Sequence, residues 1–258
     1  MLIHGLYYEE HGSGRPLILS AGLGGSGNYW LPNVRALAAS HRVILYDHRG
    51  TARSDRALPD TVTVEQMGDD ILALIDGLRL EKATIIGHAA GAVAGLAAAL
   101  KSPERIDRLV LVNGWSRPDP HFARCFDARL ALLRNSGPRA YVEAQPIFLF
   151  PANWISEHHD QLAAETEGHL AHFAGAEAYE KRIAALRTFD IDARLHEISA
   201  PTLALAAEDD MLVPSNCSRR LAGGIRGAEL AMMDWGGHGC NVTDPRTFER
   251  HVLEFLGS

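Results

Sequence analysis

Several signatures that would assign the chain to a specialised environment are missing. No long apolar run occurs: the longest, Ala89 to Leu100, is about a dozen residues, well short of the roughly twenty that a membrane span requires. No basic block occurs either. The 25 Lys and Arg are outnumbered by 32 Asp and Glu, giving a formal charge of −7, which argues against nucleic acid or an anionic membrane surface as partner. Cysteine is scarce: Cys125, Cys217 and Cys240 are odd in number and lack metal-ligand spacing, so they read as reduced thiols and predict a cytoplasmic protein. Near the amino terminus, Glu9 and Glu10 interrupt any apolar stretch, which predicts no secretory signal. Internal repeats and low-complexity tracts are absent.

What is present is enough apolar residue, 47% of 258, for one large α/β domain or two small ones. Short apolar runs predict strands at Leu6–Glu9 (an edge strand), Leu17–Ser20, Arg42–Asp47, Thr84–Ile86, Arg108–Asn113, Thr202–Ala206 and Glu229–Met233. Helices are expected over Trp30–Ala39, over Thr63–Leu78, where Val64, Met67, Ile71, Leu74, Ile75 and Leu78 recur at helical spacing, and over Thr247–Leu256. His11 to Pro16 reads as a turn. This alternation implies a mostly parallel sheet with helices on both faces. One helical, strand-free interruption divides it, so the chain reads as a core of residues 1–114 and 190–258 with a lid of residues 115–189. An insertion leaving the carboxyl end of a strand sits where such sheets bind ligands.

The chain is organised around Thr84-Ile85-Ile86-Gly87-His88-Ala89-Ala90-Gly91, a strand, a glycine-flanked turn and a helix of small residues. That is the form of the G-x-S-x-G nucleophile elbow of α/β-hydrolases, with one residue exchanged: Ala89 stands where the serine would be. Glu208-Asp209-Asp210 follows a later strand, and Gly237-His238-Gly239 follows the last. Elbow, acid and histidine in that order complete the hydrolase pattern. His238 is the expected proton carrier and Asp210 its carboxylate, with Asp209 as the fallback; either acid could instead cap the next helix. The N–H groups of Leu23, in the glycine-rich loop Ala21–Gly27, and of Ala90 are the expected oxyanion donors.

Other residues carry weaker signals. The glycine loop lacks a Walker lysine and fits a dinucleotide fingerprint poorly, so no phosphate cofactor is expected. His88 reads as a packed elbow residue, and Asp47 with Arg49 as an ion pair that pins a loop. His158, His159, His169 and His172 form no convincing metal triplet, so no metal is expected. The insertion aromatics Phe148, Phe150, Trp154, Phe173 and Tyr179 read chiefly as core, with a pocket wall near Gln145 and Trp154.

Ala21-Gly22-Leu23-Gly24-Gly25-Ser26-Gly27, Asn113-Gly114-Trp115, Val142 to Ala152 (VEAQPIFLFPA) and Gly236 to Pro245 (GGHGCNVTDP) resemble the RutD family of α/β-hydrolases. The resemblance spans nearly the whole chain, and its most specific part lies in the insertion. It implies an alanine apex as the native state and hydrolysis of a small C–N compound, a carbamate or an aminoacrylate, in uracil degradation. On the reading of the glycine loop and the insertion aromatics, Gly22, Gln145 and Trp154 are the expected substrate contacts. A small-molecule substrate is thus the expected partner, and helical insertions of this kind can donate the interface of a homodimer. Two other readings stay open on the residues: a serine ester or C–C hydrolase inactivated by a Ser-to-Ala change at position 89, and a ligand-binding homologue without catalysis.

Overall fold

The computed structural model describes residues 1–257. Eight strands form one sheet: β1 (Leu2–Ile3), β2 (Leu6–His11), β3 (Arg15–Ser20), β4 (His41–Tyr46), β5 (Ala83–His88), β6 (Ile106–Val112), β7 (Thr202–Ala207) and β8 (Glu229–Met233). Their spatial order is β1-β2-β4-β3-β5-β6-β7-β8. The first two strands pair antiparallel, as does β2 with β4; every other pairing is parallel. The outermost strand is therefore the two-residue β1 rather than the segment from Leu6. Strand pairing also extends to His11 and resumes at Arg15, which leaves only Gly12–Gly14 for the turn.

Alternation along the strands divides the core in two. Ile18, Ile44, Ile85 and Leu109 face α2 (Val64–Gly77) and α3 (Ala90–Lys101). Leu17, Leu19, Val43, Leu45, Ile86, Val110 and Leu203 face the other way, towards Trp30, Leu37, Phe248 and Val252. These last four belong to a short 3-10 turn over Gly27–Trp30, to α1 (Leu31–Leu37) and to the closing helix, Pro245–Leu256. The helix expected from Trp30 is thus two pieces, because Pro32 favours the first turn of a new helix. In α2 the buried residues fall at the predicted helical spacing, and Thr63 and Gln66 close a reciprocal cap at its start. Burial of a side chain such as Ile71 is worth about 2–5 kcal/mol against truncation to alanine.

Between β6 and β7 lie four α-helices, a short 3-10 turn over Asp192–Glu197 and no strand: α4 (Pro120–Leu149), α5 (Ala152–Glu157), α6 (His159–Ala171) and α7 (Ala176–Thr188). α4 breaks at Gly137, whose φ of +83° leaves the helical region just before Pro138. After β7 come α8 (Ser215–Gly224), then β8, α9 (Cys240–Thr243) and α10 (Pro245–Leu256). No helix among the described residues is long and apolar enough to cross a membrane.

Candidate active site

At the end of β5 the backbone of Ala89 adopts φ +49° and ψ −105°, a strained conformation for a residue with a Cβ. Its amide donates to the Val112 carbonyl at 2.8 Å, which fastens the turn to the neighbouring strand. The flanking glycines are steric requirements. A Cβ on Gly91 would lie 2.1 Å from the Ser20 carbonyl oxygen, and one on Gly87 would lie 2.3 Å from that of Gly91. The turn is thus a fully formed nucleophile elbow whose apex bears a methyl group.

His238 and Asp210 meet at this end of the sheet. The imidazole Nδ1 lies 2.8 Å from Asp210 Oδ2, and both residues are buried. Asp210 Oδ1 accepts from the backbone amides of Leu212 and Val213 at 2.7 and 2.9 Å, so the carboxylate is fixed before it meets the ring. Because an ionised carboxylate only accepts, Nδ1 carries the proton and Nε2 presents a lone pair. Nε2 has no hydrogen-bond partner among the described residues. Asp209 does a different job: its Oδ1 accepts from Gly237 N at 2.8 Å and holds the turn that carries His238. That turn needs positive φ at Gly236 (+135°) and Gly237 (+65°). It docks on the insertion, where the Leu149 carbonyl accepts from Gly239 N at 2.8 Å.

The His238 carbonyl is tied twice, accepting from His88 Nε2 and from Asn113 Nδ2, each at 2.7 Å. His88 therefore supports the turn. Burial and the nearby His238 hold its pKa well below the ordinary histidine value, and its ring stacks on Tyr29 with centroids 4.7 Å apart. Gly22 borders the same ring; a Cβ there would lie 2.9 Å from His88 Nδ1. No thiol replaces the missing hydroxyl. Burial pushes Cys217 and Cys240 up to about 12 and raises Cys125 above its usual value, so all three stay protonated at neutral pH.

Leu23 N and Ala90 N donate to no protein acceptor among the described residues, which leaves both N–H groups available at the elbow. Leu23 is held from the insertion. Arg182 of α7, fully buried, donates through Nη2 to the Leu23 carbonyl at 3.1 Å and to His48 Nδ1 at 2.9 Å, and through Nη1 to the Arg49 carbonyl at 3.3 Å. His48 is kept neutral by burial and by this guanidinium; with Nδ1 accepting, its Nε2 carries the proton and points to Ser20 Oγ at 3.1 Å. A cavity of about 290 Å³ adjoins this network, with Tyr46, His48, Leu58, Met67, Asp70 and Arg182 in its wall; none of the expected site residues lines it.

The remaining expected residues lie in the insertion. Gln145 accepts from Arg129 Nη2 and donates to the Tyr141 carbonyl at 2.6 Å. Trp154 stacks on His158, with ring centroids 4.0 Å apart, and packs against Phe150, which touches the turn at Gly239. The expected Asp47–Arg49 ion pair does not form. Asp47 pairs with Arg53 at 2.7 Å and accepts from Gly27 N, whereas Arg49 reaches Asp70 at 2.9 Å. The chain turns back after Gly50, and that return brings Arg53 to a carboxylate that Arg49 has already passed. Asn113, Arg129 and Arg182 carry no role in the sequence reading. A φ of +49° at Asn113 suits asparagine, and only its position in the sheet reveals that its side chain secures the histidine turn.

The fold and this arrangement of elbow, acid and histidine define an α/β-hydrolase, and residues 15–148 match the family model described as the alpha/beta hydrolase fold. A structure of similar shape is the enol-lactonase from Burkholderia xenovorans LB400, 27% identical with a TM-score of 0.88, covering 99% of this chain and 98% of that one. A hydrolase from Pseudomonas aeruginosa PA01 is 30% identical with a TM-score of 0.88, covering 98% and 94%. Within this class the chain belongs to the RutD family. It is 54% identical over 258 residues, 98% of this chain and 96% of the relative, to a protein of Caulobacter sp. strain K31 that is provisionally named carbamate hydrolase RutD.

Proposed function

We propose that the protein hydrolyses a small C–N compound, a carbamate or an aminoacrylate, by attack of water in place of a side-chain nucleophile. The observation that carries this reading is the His238–Asp210 pair, whose Nε2 lone pair is uncommitted beside an apex that has no hydroxyl. Nε2 takes a proton from water as the water oxygen bonds to the substrate carbon, the carbonyl carbon of a carbamate or the imine carbon of a tautomerised aminoacrylate. Leu23 and Ala90 N–H groups meet negative charge on a carbonyl oxygen. Asp210 stabilises the imidazolium, which returns its proton to the nitrogen; from a carbamate the C–N bond then breaks to give ammonia and bicarbonate, whereas the carbinolamine formed from the imine first passes its hydroxyl proton through His238 to nitrogen, so that ammonia and the aldehyde separate.

The similarity to proteins named for carbamate hydrolysis supports the substrate class. The helical insertion, which contacts the histidine turn through Leu149 and the Leu23 loop through Arg182, acts as the lid. A place in cytoplasmic uracil degradation belongs to the same proposal. The test is ammonia release from freshly generated carbamate and from aminoacrylate, each measured against the protein-free rate. Acceleration of one identifies the substrate; acceleration of neither overturns the reading.

A further inference from the structure

Arg129 is a buried cation with no carboxylate beside it. Only 4% of its surface is exposed, and it is surrounded by Phe126, Tyr141 and Phe148, whose ring centroids lie 5.1, 5.6 and 5.7 Å from its guanidinium carbon. Surface arginines such as Arg49 and Arg53 pair with aspartates; Arg129 has only the neutral acceptors Tyr141 Oη, at 3.2 Å, and Gln145 Oε1. Both bonds come from Nη2. Nε is sealed from solvent without a partner, and Nη1 has none among the described residues. Aromatic faces and two neutral oxygens compensate only part of the cost of removing a guanidinium from water, and an uncompensated buried charge is strongly destabilising.

Its place in α4 directs it to the site. His121 Nε2 meets the Met211 carbonyl at 2.6 Å, and Cys125 Sγ lies 3.6 Å from the same oxygen, so this face of α4 rests on the loop that follows Asp210. Arg129 is the next residue on that face, one turn further along. From the other side, Phe148 of its cage directly precedes Leu149, whose carbonyl holds Gly239 beside His238. Arg129 thus sits on a helix face whose preceding turns meet the acid loop, within a cage whose Phe148 adjoins the residue that holds the histidine turn.

We infer that Arg129, oriented by Tyr141 and Gln145, is the anchor for the carboxylate group of a small anionic ligand. The choice of ligand rests on the functional reading above, in which both substrate classes carry such a group. Guanidinium geometry suits a planar carboxylate, and the apolar cage strengthens the pairing by excluding water. Gln145 then acts on substrate indirectly, by holding the arginine.

Acetate and its neutral analogue acetamide, titrated at constant ionic strength, test this by binding alone. Failure of turnover would defeat the proposed reaction and leave this assignment standing; failure of acetate binding would do the reverse. The reporter is the 15Nε–H resonance of Arg129 in the unmutated protein, assigned by its loss in Arg129→Lys, together with ligand-induced thermal stabilisation. Acetate is expected to shift the resonance and raise the melting temperature, acetamide to do neither, and Arg129→Gln to weaken acetate binding about 10- to 100-fold. Should Arg129→Gln fail to fold, the resonance decides the matter without it. An Arg129 signal indifferent to acetate, or equal responses to acetate and acetamide, would overturn the inference.

Discussion

Arg182 Nη2 stands 3.1 Å from the carbonyl oxygen of Leu23, a hydrogen bond from the helical insertion to the loop whose Leu23 N–H is free at the elbow. The insertion and the elbow are thereby coupled: α7 cannot shift without releasing Leu23. In the proposed reaction Arg182 is a positioning residue, and the Arg182→Met variant is expected to lower kcat about 10- to 100-fold with a smaller change in KM, since the Leu23 donor it orients would act on developing charge. Steady-state kinetics of Arg182→Met and Arg182→Lys check this, the lysine recovering part of kcat. An increase in KM alone would assign Arg182 to substrate binding instead.

Asp210 and Asp209 are adjacent in sequence and unlike in role. Asp210→Asn should place an amide against Nδ1, favour the wrong imidazole tautomer and reduce turnover by about 10⁴-fold, the size of the corresponding effect in serine-protease triads. Asp209→Asn retains an oxygen for Gly237 N and should cost less than about 1 kcal/mol in thermal stability, with little loss of rate. Parallel rate measurements on the two variants separate these roles.

Restoring the hydroxyl tests whether the rest of the machinery is aligned. The elbow geometry and the free Nε2 lone pair are both in place, so Ala89→Ser is expected to gain activity on activated acetate esters. Intact-protein mass spectrometry during turnover should then detect an acetylated enzyme, which the unmutated protein cannot form at position 89.

Two buried histidines make stability depend on pH. In the folded protein His48 and His88 are held well below the ordinary value of 6.5, His48 by burial and Arg182, His88 by burial and His238. Below pH 6.5 the unfolded chain binds protons that the folded chain refuses. Their contribution is therefore complete above that pH and declines as pH falls, by about 1.4 kcal/mol per pH unit for each histidine. Denaturant titrations from pH 7.5 down to 5 should display this slope, and His48→Gln or His88→Gln should reduce it.

Much of the architecture was legible because local chemistry and global fold agree. Glycine at 87 and 91 is what a tight strand-to-helix turn demands, and five of the six predicted α2 positions are buried, with Leu78 half-buried at the helix end and Gly68 buried besides. Side-chain partnerships were less accessible. Two successive aspartates after a strand look alike in sequence; which one faces the histidine depends on how the loop turns through Leu212 and Val213. Asp47 found Arg53 rather than the nearer Arg49 for the same reason. Arg129 and Arg182 gave no signal at all, because an arginine on a helix is ordinarily solvated and only tertiary packing buries these two.

The central claim is that His238 activates water at an elbow without a nucleophile. The most direct measurement is ammonia release by the His238→Ala variant beside the unmutated protein, on whichever of carbamate or aminoacrylate the protein accelerates. The account predicts that His238→Ala falls to, or close to, the protein-free rate while remaining folded. A rate equal to that of the unmutated protein would contradict it.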